Sequence, residues 1–168
     1  MYHVGDQVVY GMHGVCRVAA TETKVMDGKS VVYLVLEPNN QESTRYLVPT
    51  HNAAAMGKIH GVMNCEELTA LLSSPAVREN AWICDEGQRK QCYRELITSG
   101  NRQRLVQMVN TLYSHRGKLA VSGRKFHMCD ENFLRDAEKL LCSEISVILG
   151  LPFHDAREFL RSKLKEDA

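Results

Sequence analysis

The spacing of apolar residues changes near residue 60, and that change constrains the fold more than any other feature of the chain. Before it, VGDQVVYG, GVCRVAATETKV, SVVYLVLEP and TRYLVPT are rich in Val, Tyr and Thr, and each run is bounded by Gly, Pro, Asn or Asp. This is the pattern of short strands. Met26-Asp27-Gly28-Lys29 predicts a tight hairpin, since Asp-Gly supplies two positive φ angles. Glu37-Pro38-Asn39-Asn40-Gln41-Glu42 reads as a second loop. Four or five short strands in under 60 residues cannot bury both faces of an open sheet, so a small bent barrel of the SH3 or Tudor type is expected.

After the change the period is helical. Asn64 with Glu67 forms a capping-box signature for a short helix running to about Ser73, ahead of Pro75. A longer helix is predicted over 76–98, stopped at Gly100. The next, from Arg102 to about Arg116, puts Leu105, Val109, Leu112 and Tyr113 on one stripe. Residues 121–128 read as a loop. Asp130 opens the strongest pattern, with Phe133, Leu134, Ala137, Leu140, Leu141, Ile145, Ile148 and Leu149 at three-and-four spacing, ended by Gly150 and Pro152. A last helix starts at Asp155 with Ala156, Phe159, Leu160 and Leu164 inward. The expectation is an α+β chain: a barrel over 1–59, a seam near 58–64, and a compact helical bundle over 64–168.

Composition is globular, and no apolar run reaches the roughly 18 residues needed to cross a bilayer. The N-terminus has neither a basic leader nor an apolar signal core, so a cytoplasmic protein without membrane association is expected. Cys16, Cys65, Cys84, Cys92, Cys129 and Cys142 contain no Cys-x-x-Cys pair and read as reduced thiols. The net charge of +1 conceals an uneven distribution: residues 76–125 carry ten bases against four acids, and residues 126–168 carry six against nine. The middle of the chain is the electrostatic candidate for a polyanion.

That basic region contains the only tryptophan, in ENAWICDEGQRKQCYRE. Trp82 can anchor a core, or it can sit beside a nucleic acid whose phosphates Arg89, Lys90 and Arg94 hold. Asp85 and Glu86 face solvent or pair with Arg89 and Lys90 at helical spacing.

VGDQVVYGMHGVCRV, GKSVVYLVLEP and YLVPTHNAAAMG, in that order, resemble the opening of the CarD/CdnL family of bacterial transcription regulators. The barrel of that family is similar to the polymerase-interacting module of transcription-repair coupling factors. The resemblance extends through SGNRQRLVQMVNTLYSHRGKL and CDENFLRDAEKLLCSEISVILG. It implies a barrel docked on the β subunit of RNA polymerase through a sheet edge, here Lys24 with Arg45, Tyr46, Leu47 and Val48. It further implies a helical domain on promoter DNA at the upstream edge of the bubble, with Trp82 as a minor-groove wedge and Arg89, Lys90 and Arg94 on the backbone. The protein would be a monomer that stabilises the open complex. Actinobacterial members carry arginines at the positions aligned with Lys24 and Leu47. The stretch from Trp82 to Gly100 is also longer than theirs by about one helical turn, which in a continuous helix moves Trp82 about 6 Å along the axis.

No enzyme, cofactor or small-molecule substrate is expected. His13 with Cys16, His51, His60 with Cys65, and His127 with Cys129 lack standard zinc spacing, and Gly11-Met12-His13-Gly14 lacks the continuation of a phosphate loop. The alternative reading is a barrel-type protein-binding adaptor that does not touch DNA, with Trp82 buried.

Overall fold

The computed structural model describes residues 1–39 and 43–165, and the chain divides into two compact units, Met1–Val62 and Met63–Ala168. It is α+β, with a five-stranded antiparallel sheet followed by helices.

In the first unit β1 (Gln7–Tyr10), β2 (Val15–Met26), β3 (Lys29–Pro38), β4 (Tyr46–Pro49) and β5 (Ile59–Gly61) form one sheet in the order β4-β3-β2-β1-β5. Asp27 (φ 50°) and Gly28 (φ 74°) make the predicted β2–β3 turn, closing the ladder at Met26 opposite Lys29. The second predicted loop begins later than expected, because Glu37 and Pro38 belong to β3; Asn40, Gln41 and Glu42 lie outside the described residues. Val8, Cys16, Val18, Leu34, Leu36, Val48 and Ile59 share one core although they come from all five strands, so the sheet curls round them. A register shift between Val18 and Ala20 assists the bend. A short helix, α1 (Ala53–Met56), is capped by the Asn52 side chain and packs Ala55 and Met56 on this core.

The second unit contains α2 (Cys65–Ser73), α3 (Pro75–Arg78), α4 (Glu86–Ser99), α5 (Arg102–Val121), α6 (Met128–Leu149) and α7 (Phe153–Lys165). The Asn64/Glu67 capping box forms in both directions, and Gly100 and Gly150 end α4 and α6 in the left-handed conformation. The predicted stripes of α5, α6 and α7 meet in one core led by Val109, Leu112, Leu134, Ala137, Ala156 and Leu160.

The single helix expected over 76–98 does not form. Pro75 starts only the one turn of α3, and residues 79–85 cross to α4 as a non-helical segment. Local side chains take the backbone donors a helix would use: Asn80 Oδ1 accepts from the Trp82 amide at 3.0 Å, and Asp85 Oδ1 accepts from Gln88 N at 2.7 Å as the cap of α4. Trp82 therefore sits on a connecting segment, and the one-turn displacement argued for a continuous helix does not apply. α5 also runs past Arg116 to Val121, and α7 begins at Phe153.

Candidate functional site

The segment carrying Trp82 is pinned along its length. Ala81 N donates to the buried Thr111 Oγ1 at 3.1 Å, and Gln107 Nε2 donates to Glu79 O at 3.4 Å, both from α5. From α4, Arg89 Nη1 donates to Ile83 O at 2.9 Å and to Cys84 O at 3.4 Å. The indole is half-buried against the helical core. The His115 ring stacks on it at 3.5 Å between centroids and 15° between planes, and the Arg89 guanidinium carbon lies 4.4 Å from its centroid.

Arg89 is not the phosphate contact expected of it. Its side chain is 6% exposed and bidentate to Asp130 of α6, with Nε to Oδ1 at 2.9 Å and Nη2 to Oδ2 at 3.1 Å. Burial alone would lower its pKa, but the hydrogen bonds and charge of Asp130 hold it above the ordinary arginine value. A buried guanidinium with both edges occupied serves the fold by fixing the Trp82 segment and lying over its ring. Lys90, the next residue, points outward enough to pair with Glu86 one turn earlier, and Arg94 is exposed.

Three further cations flank His115 and Phe126. Lys118 lies three residues beyond His115 on α5 and contributes to the field on that imidazole. Arg124 and Lys125 precede Phe126, whose ring is 6.3 Å from His115. All three are exposed, and among the described residues neither they nor Arg94 form an ion pair. Arg116 is half-buried, 3.7 Å from Glu131. Helical phase marks Lys118, since 107, 111, 115 and 118 share one face of α5, whereas Arg124 and Lys125 lie beyond the end of that helix.

In the first unit, β4 is an edge strand, paired with β3 on one side only. Register separates the five residues expected there. Leu47 pairs with Val35, Arg45 N-terminal to it pairs through its side chain with Glu37 at 3.0 Å, and Lys24 opposes Val31, so Lys24, Arg45 and Leu47 share the outer face. Leu47 is 41% exposed on that face. Tyr46 and Val48 turn to the core face: Val48 is buried, and Tyr46 packs on His13 at 4.2 Å and Tyr10 at 5.7 Å. Val48 can offer a partner only its backbone.

Burial pushes the Cys16 thiol up to about 11 and the Cys142 thiol up to about 12, so both stay protonated at neutral pH. Among the described residues no three His, Cys, Asp or Glu side chains are grouped to hold a metal ion, and no helix is long and apolar enough to cross a membrane.

Residues 2–60 match the family model of the CarD-like/TRCF RID domain. The match covers β1 to β4 and ends inside β5. Domains of this family are transcription-associated and interact with RNA polymerase. The N-terminal unit of this chain belongs to the CarD-like/TRCF RID domain family.

Proposed function

We propose that this chain is a cytoplasmic transcription regulator. It tethers to the RNA polymerase β subunit through the outer face and free edge of β4, and it prolongs the promoter open complex through its helical unit. The observation that carries the DNA half is the setting of Trp82: a single indole fixed on a pinned segment, with Lys118, Arg124 and Lys125, which form no ion pair among the described residues, on the adjoining helix and loop. Apolar wedges in the minor groove need a rigid mount, since a mobile ring would lose on ordering what it gains by insertion. Arg94 and Lys90 are further backbone contacts. Such a surface reads groove shape and strand opening more than base edges. On the polymerase side, backbone groups of β4 add a strand to the partner, with Leu47, Arg45 and Lys24 giving choice.

The test is open-complex lifetime with Trp82→Ala and, separately, with Lys118, Arg124 and Lys125 all changed to Ala. The first variant should shorten the lifetime at every salt concentration. The second should weaken DNA binding and flatten its salt dependence by about 0.9 in the log–log slope per lost phosphate contact. Unchanged lifetime and slope in both would remove the DNA contact.

The burial of Arg89 and the half-burial of Trp82 favour a second reading, a polymerase-bound adaptor whose helical unit does not touch DNA. Collisional quenching of Trp82 by a neutral quencher separates the two: addition of promoter DNA to the polymerase complex protects the indole in the first reading and leaves it unchanged in the second.

A further inference from the structure

Four side chains on one face of α5 serve the Trp82 segment. Gln107, Asn110 and Thr111 bond to backbone atoms of Glu79, Arg78 and Ala81. His115 alone touches the indole, in parallel van der Waals contact, and it alone of the four titrates near neutrality. The groups that bear on it come from every neighbouring element: Arg89 from α4, Asp130 from α6, His127 before α6, and Lys118 from its own helix. Of these only Asp130 is anionic, and it is already bidentate to Arg89.

We infer that His115 is a positioning residue for Trp82: uncharged, it stacks on the indole and holds the ring in its presented orientation, and protonation releases it. The inference deepens the wedge reading and rests on it for its consequence at a promoter. A cation over an indole is ordinarily attractive, so the opposite sign needs an argument. The Arg89 guanidinium already lies 4.4 Å from the same ring, and the one carboxylate that attracts a charge on His115, Asp130, has both oxygens hydrogen-bonded to Arg89. A protonated imidazole in this half-buried stack therefore loses hydration without gaining a hydrogen-bonded partner. Burial, first, and the charges of Arg89, Lys118 and His127 lower the His115 pKa, with Asp130 opposing. A group whose folded pKa is depressed contributes stability that is complete above its ordinary value of 6.5 and is lost as pH falls through the lower folded value.

Trp82 is the only tryptophan, so intrinsic emission of the full chain reads this stack alone. Between about pH 8 and about pH 5, acrylamide quenching of the wild type should rise in one step with its midpoint below 6.5, while far-ultraviolet circular dichroism stays constant. His115→Gln should be highly quenched throughout and His115→Phe weakly quenched throughout, neither with a step. A flat wild-type profile, or a step that persists in His115→Gln, overturns the inference. At neutral pH, His115→Gln should shorten open-complex lifetime in the direction of Trp82→Ala, and His115→Phe should restore it. If Trp82→Ala shortens the lifetime while the two His115 variants behave alike, the positioning role is overturned. If the emission step is present but Trp82→Ala leaves the lifetime unchanged, the stack stands and the wedge reading falls.

Discussion

In the sheet unit the core is apolar throughout, and its charged side chains meet at the surface, where Glu37 receives Arg17 at 2.9 Å and Arg45 at 3.0 Å. In the helical unit three carboxylates of α6, Asp130, Glu138 and Glu144, are 2–3% exposed, and each holds arginine from another helix. Asp130 takes Arg89 of α4, Glu144 takes Arg102 of α5 and the Met63 amide, and Glu138 takes Tyr113 of α5 with Arg157 and Arg161 of α7. Their spacing puts them within an arc of about 120° on α6. In the sheet, register is set by the alternation of its core residues and by the Asp27-Gly28 turn, so it does not depend on buried charge. Helices packed by apolar stripes can rotate or slide, and our hypothesis is that the α6 carboxylates select one arrangement.

The largest effect expected from this contrast is at Asp130. Asp130→Ala strands a guanidinium that is 6% exposed and should cost about 3–5 kcal/mol in urea unfolding. Replacing both partners, Arg89→Met with Asp130→Leu, should recover most of that loss, yet still alter Trp82 emission because no cation lies over the ring. A cost under about 1 kcal/mol for Asp130→Ala, the range of an exposed pair, would erase the distinction between the units.

Next comes Tyr113→Phe, which takes one hydrogen bond from the buried Glu138; the cost should be about 1–2 kcal/mol by thermal unfolding. Burial first, then the bond and charge of Glu138, hold the Tyr113 phenol well above the ordinary value, and burial pushes Tyr93 up to about 12. A raised folded pKa gives stability that is complete below the ordinary tyrosine value of 10 and is lost as pH rises through the folded value. Stability of the wild type should therefore fall on the alkaline side of that value, and Tyr113→Phe should flatten the fall.

The same contrast explains what could be read from the chain. The change of period, the Asp27-Gly28 turn, the Asn64/Glu67 box and the stripes of α5, α6 and α7 are local in sequence, and each is present. Arg89 and Lys90 look alike as text. One is buried and the other is not because Asp130, 41 residues away, meets only the first. The break at 79–85 is hard to read from the chain because Ala81, Trp82 and Ile83 continue a helix-like apolar content, while the captures by Asn80 and Asp85 that end it depend on side-chain geometry. Strand parity alone could have assigned Tyr46 and Val48 inward and Leu47 outward, had the core face of β4 been fixed by its pairing with Leu34 and Leu36.

Glycine replacements sharpen the comparison at a smaller scale. An alanine Cβ meets nothing within 4 Å at either Gly28 or Gly117, so only backbone conformation matters. Gly28→Ala must hold φ near 74° and should destabilise the hairpin by about 1 kcal/mol. Gly117→Ala, in the exposed interior of α5, should stabilise by about 0.5–1 kcal/mol. Equal signs in the two melting curves would mean that one of these positions is not in the conformation described.

The smallest effect is expected at Glu37. Glu37→Gln removes the shared partner of Arg17 and Arg45, two ion pairs at once, which by count alone should exceed the loss of the single pair at Asp130. Both arginines are more than half exposed, at 58% and 66%, so water and counterions replace the lost carboxylate almost as well as it served. The cost should stay under about 1 kcal/mol and shrink further in molar salt, where screening acts over about 3 Å. Asp130→Ala should keep nearly its full cost in the same salt, because ions do not enter the space between α4 and α6. The ratio of the two costs, measured at low and high salt, thus depends on solvent access and not on the number of pairs broken.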